Sequence, residues 1–309
     1  MNAPSHAVAG NNSGKRGNLR SIYAMLIAVA FFALMDAVLK VLSTRYPAMV
    51  VASLRALTSM PLVLGYLAWR GGFGTMFEVR MPFHVLRGAL GIAMLTLFVI
   101  GVRSLSLAET YAIFFIAPAL MTALSTVILK EQVSLARWVA VAVCMCGVLV
   151  ALRPSGDGLF TMGGLAVLGS AACYAVAAIV GRIVGRTDRT EHSVLWMMIY
   201  MGIGATVLAI PDWVSPRADD FLLLGALAVT GFLGQLAITE AFNSGEASIV
   251  APFEYTALAY GVMIDWLIWH SLPDRYTLLG AAIIIGSGIY LIRHERGQAT
   301  VGEAKHTPI

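Results

Sequence analysis

Ten apolar stretches, each long enough to cross a bilayer, are what most restricts this chain. They run roughly over 20–42, 47–69, 82–102, 108–129, 134–152, 161–183, 192–211, 219–242, 248–269 and 275–292, with short polar breaks between them. A spanning helix needs about 20 apolar residues, and each stretch approaches or exceeds that length. Hydrophobic residues make up 59% of the sequence and charged residues 12%, whereas a soluble domain carries roughly 25% charged residues. Lipid is therefore the solvent for most of the chain. The expected fold is an all-α membrane protein with ten transmembrane helices.

The ten stretches fall into two sets. The segment 109–153 holds two apolar runs joined by a charged break at Lys130-Glu131 and closed by Arg153-Pro154. A looser copy returns 140 residues later: Gly91 maps to Gly231, Gly101 to Ala241, Ser104 to Ser244, Lys130-Glu131 to His270-Ser271, and Arg153 to Arg293. A shared offset of this kind marks an internal duplication. Each copy holds five spans, and an odd number inserts the second copy upside down relative to the first. The expectation is two inverted five-helix repeats, with a solute site near the midplane between them. The expected organisation is a disordered cytoplasmic tail over 1–18, a first repeat over 19–153, a second over 154–293, and a tail over 294–309. The apolar run continues well past Ala28-Val29-Ala30, which favours an uncleaved first helix over a signal peptide.

Charge sets the topology. With the N-terminus in the cytoplasm, fourteen Lys and Arg, Arg87 among them, fall on the cytoplasmic side and five on the far side. That excess satisfies the positive-inside rule, and ten spans place both termini in the cytoplasm. The arginines sit in short loops and form no basic face, so nucleic acid is not an expected partner. The three cysteines lie inside apolar runs without a CxxC pair, and the histidines avoid the span centres. The chain holds neither H-E-x-x-H nor G-x-S-x-G, and Gly10–Lys15 lacks phosphate-loop spacing. No enzyme, metal or cofactor is expected.

Several motifs carry a family resemblance. Phe114-Phe115-Ile116-Ala117-Pro118-Ala119-Leu120, Leu129-Lys130-Glu131 and Gly147-Val148-Leu149-Val150 lie in the first half, and Ala247-Ser248-Ile249-Val250-Ala251-Pro252-Phe253-Glu254-Tyr255 in the second. In order and spacing they resemble the fourth, fifth and ninth helices of the drug/metabolite transporter superfamily, EamA type, over about residues 20–293. Within that family the chain is most similar to bacterial aromatic amino-acid exporters. The resemblance implies a multi-pass protein of the bacterial inner membrane that exports neutral and aromatic amino acids by alternating access. The glutamate that usually closes the ninth helix is replaced by Ser271, while its counterpart Glu131 is kept. Glu131 therefore reads as a helix-end residue.

Charges inside spans are expensive and need a reason. Asp36 and Lys40 share a face of the first helix, either as a self-neutralising pair or as a site for a zwitterion. Arg55, about two turns into the second helix, is a partner for Asp36 or a carboxylate clamp. Glu254 is the candidate for proton coupling or amine binding, against the alternative of a charge near the cytoplasmic end. On the fourth helix Tyr111, Phe115, Pro118, Thr122 and Ser125 form one stripe, either packing or a cavity wall for an amphipathic solute. Thr96, Tyr174, Gln235 and Tyr255 are further candidates, and Trp196 is either a cavity residue or an interface anchor. Pro118 and Pro252 are expected to loosen their helices. The expected solute is a small molecule, an amino acid first; a cationic drug or another metabolite is the alternative, kept open by Asp36, Glu254 and Asp265. Two halves around one site make a monomer sufficient.

Overall fold

A computed structural model describes residues 6–105, 107–153, 160–270 and 274–304. No strand occurs among them, and ten segments have the length and apolarity to cross a membrane, as the sequence implies. The helices are α1 His6–Leu42, α2 Ala48–Trp69, α3 Met81–Ser104, α4 Leu107–Phe114, α5 Ala117–Ile128, α6 Leu135–Leu152, α7 Met162–Val184, α8 Thr190–Ala209, α9 Phe221–Ser244, α10 Ala247–Val250, α11 Thr256–Trp269 and α12 Arg275–Ala304. With ten spans, both ends of the chain emerge on one side, here the termini face.

Two spans are not single helices. The fourth is α4 and α5, interrupted at Phe115-Ile116 just ahead of Pro118. Proline lacks an N–H and its ring clashes with the carbonyl four residues back, here that of Phe114, the last residue of α4. The ninth is α10, a 3-10 turn over Ala251–Tyr255 that contains Pro252, and α11. The tails also differ from expectation. α1 begins at His6 and α12 runs to Ala304, so much of 1–18 and of 294–309 is helical. Extending an existing helix fixes one residue per added hydrogen bond, without the cost of a new nucleus. Pro154 and Ser271 lie outside the described residues, as does the side chain of Asp265.

The packing shows the inverted duplication. α1 packs on α9 and α3 on α7, which is one contact seen from the two copies; α2 packs on α8 and α6 on α12, each a span against its own counterpart. The last of these is informative at atomic scale. At the α6–α12 crossing a Cβ on Gly147 would lie 3.0 Å from the Gly280 carbonyl oxygen. Shifting both residues by 140 in opposite senses gives Ser287 and Ala140, and the Ser287 hydroxyl donates to the Ala140 carbonyl at 3.3 Å. Without a hydrophobic drive between helices in lipid, small residues that admit close backbone approach are what hold such a crossing.

Polar clamps pin the same helix pairs at their ends. Asp220, fully buried at the start of α9, accepts from the Tyr46 hydroxyl at 2.6 Å and pairs with Arg45, both just beyond α1; the Arg217 amide donates to the Tyr46 oxygen at 2.9 Å. The counterpart at the termini face joins α3 to the end of α7. There Asp188 accepts from the His84 ring at 2.9 Å and the Arg80 amide at 3.1 Å. Burial pushes the Asp188 carboxyl up, but bonds from Thr187, His84 and Arg80 outweigh it and hold the group below its ordinary value. Removing a buried charged acceptor leaves its donors unsatisfied. Asp220→Ala is therefore expected to cost about 2–3 kcal/mol. Thermal unfolding in detergent checks it, and Tyr46→Phe on the Asp220→Ala background should cost less than on wild type, since only the bond from the Arg217 amide is then left to lose.

Candidate functional site

The described cavity lies between the halves. It has a volume of about 140 Å³ and a mostly apolar wall, with Phe32 from α1, Phe114 and Phe115 at the α4–α5 break, Pro118 from α5, Tyr174 from α7 and Glu254 from the 3-10 turn. At the break in the fourth span two consecutive aromatic rings, Phe114 and Phe115, both line the cavity, where a continuous helix would point them about 100° apart around its axis.

Glu254 is the one carboxylate on this wall, and it accepts a hydrogen bond from the Tyr174 hydroxyl at 2.9 Å. An aromatic row leads away from it. Tyr174 lies 5.7 Å from Phe114, Phe114 5.4 Å from Phe98, and Phe98 6.0 Å from Tyr111, measured between ring centroids. At the other side Phe32 is covered by the Arg55 guanidinium, 5.6 Å from the ring centre. Arg55 and Asp36 lie within electrostatic reach of each other and form no direct ion pair among the described residues. Asp36 is surrounded by protein and still exposed, and Tyr111 is 39% exposed. The arrangement is an apolar, aromatic chamber with a carboxylate at one end and an Asp–Arg couple at the other. Such a chamber suits an amphipathic solute with a charged end.

The candidates from sequence divide on this geometry. Tyr174, Phe115, Pro118 and Glu254 line the cavity; Asp36, Arg55 and Tyr111 are outside its lining, Arg55 joined to it through Phe32 and Tyr111 through Phe98. Lys40 stands in the last turn of α1, exposed. Other candidates are not part of the wall. The Trp196 indole N–H donates to the Met76 carbonyl at 2.9 Å and its ring stacks on Tyr200, so it anchors α8 to the loop before α3. Tyr255 faces away from the chamber, fully buried with Val141, Cys144, Val148 and Ile284, because the 3-10 turn points consecutive residues in different directions. The Thr96 hydroxyl donates to its own helix at Ile92, 2.9 Å, and Gln235 is buried with its amide toward Thr239. Pro252 is buried within the turn it helps create.

Sequence reading missed Phe32, which lies one helical turn from Asp36, so the shared face was visible in the spacing. It also counted Arg87 with a cytoplasmic loop. Arg87 lies inside α3, only 7% exposed. Glu131 does serve a helix end, but one in the other half. Its two oxygens accept from the amides of Ala247 and Ser248, both at 3.1 Å, at the start of the ninth span. Beside it Arg137 pairs with Glu246 at 2.5 Å and donates to Ser248 at 3.1 Å, and Arg182 donates to the Phe242 and Asn243 carbonyls at 3.0 and 2.8 Å. This network ties α5, α6, α7, α9 and α10 together and closes the termini face beneath the cavity. Glu131→Ala is expected to leave two amides uncapped and to cost about 1–2 kcal/mol. Alkylation of native Cys173, next to Tyr174, by a reagent added at the termini face should become faster in that variant.

Two inverted halves enclosing a partly open, aromatic chamber define a membrane transporter. The chain belongs to the EamA-like transporter family, which matches it over residues 19–153 and 161–293. It is 27% identical to a riboflavin transporter from Vibrio cholerae, over 91% of this chain and 95% of the relative. It is 26% identical to the pseudopaline exporter CntI of Pseudomonas aeruginosa, over 90% and 98%, and 26% identical to an S-adenosylmethionine uptake transporter from Rickettsia conorii, over 92% and 96%. One crystal structure superposes with a TM-score of 0.78 over 93% of this chain and 99% of its own, at 15% identity, a likeness of fold alone. The family and these relatives are transporters, not enzymes.

Proposed function

We propose that the protein exports neutral and aromatic amino acids across a bacterial inner membrane, with both termini in the cytoplasm. The observation that carries this reading is the chamber itself. Phe32, Phe114, Phe115 and Tyr174 provide an apolar wall, Glu254 an acceptor for an ammonium group, and Arg55 a donor for a carboxylate. Thirteen basic residues on the termini side, Arg87 set aside as lying inside α3, against five on the other support the orientation. Both charged groups of the solute would then be matched, as a low-dielectric site requires.

The second reading is export of a cationic drug or another small metabolite. It is favoured by two carboxylates, Asp36 and Glu254, around the chamber, and by relatives whose named solutes differ widely. Uptake of labelled phenylalanine into proteoliposomes, beside a cationic dye, separates the two. Saturable phenylalanine uptake, competed by tryptophan and not by the dye, supports the first reading. Dye transport without phenylalanine transport makes the second correct. Efflux of phenylalanine from preloaded cells tests the direction.

A further inference from the structure

Charged side chains inside the spans occur at two depths. Asp36 stands six residues before the end of α1 at Leu42, and Arg55 seven residues after the start of α2 at Ala48. Arg87 stands six residues after the start of α3 at Met81, and Glu254 seven after the start of the ninth span at Ala247. Each couple is therefore roughly 10 Å inside one end of its helices, and the two couples are near opposite faces. Each is one acid and one arginine, and each has a tyrosine. Tyr111 lies within electrostatic reach of Asp36, and Tyr174 bonds Glu254 and lies within electrostatic reach of the Arg87 guanidinium.

The duplication relates the acid and the tyrosine of each group, while both arginines, on the second and third spans, belong to the first repeat. Asp36 is on the first span and Tyr111 on the fourth; Tyr174 is on the sixth and Glu254 on the ninth, the counterparts of the first and fourth. The roles of acid and tyrosine are exchanged, and the positions differ by 138 and 143 residues, close to the offset of the repeats.

Arg87 is the unexplained member. It is 7% exposed, packed on Gly181, where an added Cβ would lie 3.3 Å from the guanidinium, and no hydrogen bond or ion pair to it occurs among the described residues. An arginine kept only to neutralise Glu254 would pair with it directly and bidentately. Here it is the Tyr174 phenol that bonds Glu254, and Arg87 makes no direct pair with it among the described residues. An intramembrane charge in this state is a site by default.

We infer that Arg87, Tyr174 and Glu254 form a second ionic subsite, in which Tyr174 and Glu254 stand at the repeat-related positions of Asp36 and Tyr111 and Arg87 comes from the first repeat, and which takes the carboxylate and ammonium of a zwitterionic solute when the termini face opens. The inference rests on the amino-acid reading for its solute class. It assigns Arg87 to the carboxylate and Glu254 to the ammonium. The solute would be handed from one ionic layer to the other as the halves rock.

The test resolves the two faces. Half-saturation for labelled phenylalanine is measured in inside-out and right-side-out membrane vesicles that contain the full chain. Arg87→Gln is expected to raise it about tenfold or more from the termini face and to leave the opposite face within about twofold, with Arg55→Gln giving the reverse. Equal shifts on both faces, or none, overturn the inference. If wild type carries no phenylalanine but carries S-adenosylmethionine, the amino-acid exporter reading falls and the same face comparison with that zwitterion decides the subsite. A substrate-free measurement stands beside these. If the melting shifts of Arg87→Gln and Glu254→Gln cancel in the double variant, Arg87 is a structural counter-charge and the inference fails; additive shifts support it. Should Arg87→Gln not fold, Arg87→Lys, which keeps the charge and loses the planar fork, replaces it in every arm.

Discussion

Gly280→Leu is expected to prevent the two halves from docking normally. A Cβ at that position would lie 2.4 Å from the Gly147 carbonyl oxygen, 2.6 Å from the Ala151 Cβ and 3.0 Å from the Ala151 amide nitrogen. Two of these atoms are backbone, so no rotamer change relieves the clash, and α6 and α12 must move apart. That separation also breaks the Ser287–Ala140 hydrogen bond and loosens Ile284, fully buried in the cluster that holds Tyr255. Overpacking a tight site costs about 1–3 kcal/mol and more where backbone is involved. A loss of about 3 kcal/mol corresponds to a melting temperature lower by roughly 10 °C. Gly286 is the control, since it lies on the same helix with nothing within 4 Å of an added Cβ. Gly286→Leu should melt like wild type. If both variants melt alike, close approach at the crossing is not what holds the halves together.

Glu254→Gln is expected to abolish transport without disturbing the fold. Glutamine keeps the shape, and its carbonyl still accepts from the Tyr174 hydroxyl, so the melting temperature should stay within about 2 °C. What is lost is the negative charge facing the chamber. Withdrawing one partner of a desolvated charge pair costs about 3–5 kcal/mol, which is roughly a 10²- to 4 × 10³-fold loss of uptake. Tyr174→Phe removes the hydrogen bond and keeps the charge, so it should lower uptake less. Full activity in Glu254→Gln would make the carboxylate a structural group and remove the main support for an amine-binding chamber.

Some of the site is legible in the residues. Glu254 and Tyr174 are polar groups in apolar spans, and the expense of such groups in lipid is enough to single them out. Phe115 and Pro118 stand out because a proline inside a span breaks it. Tyr255 lies off the chamber wall, and of the two readings of Trp196 the structure puts it in packing against the loop before α3. A stripe at helical spacing identifies a face, not what the face meets, and at Tyr255 the 3-10 turn also spoils the spacing itself. Arg87 was hidden by its position near the start of a span, where counting charges assigns it to a loop.

The sequence by itself determined the solvent, the number of spans, the duplication and, through the odd count, the inversion. These follow from composition, length and repetition, which are properties of the chain taken locally. Tertiary structure alone decided which faces of the spans enclose the chamber, that Glu131 caps a helix of the opposite half, and that Arg87 lies within electrostatic reach of Tyr174. Those facts depend on contacts between residues about 90 to 120 positions apart, set by how closely glycines such as Gly147, Gly181 and Gly280 let helices approach. No local pattern encodes that approach, because in lipid it is packing geometry and not hydrophobicity that selects one helix partner over another.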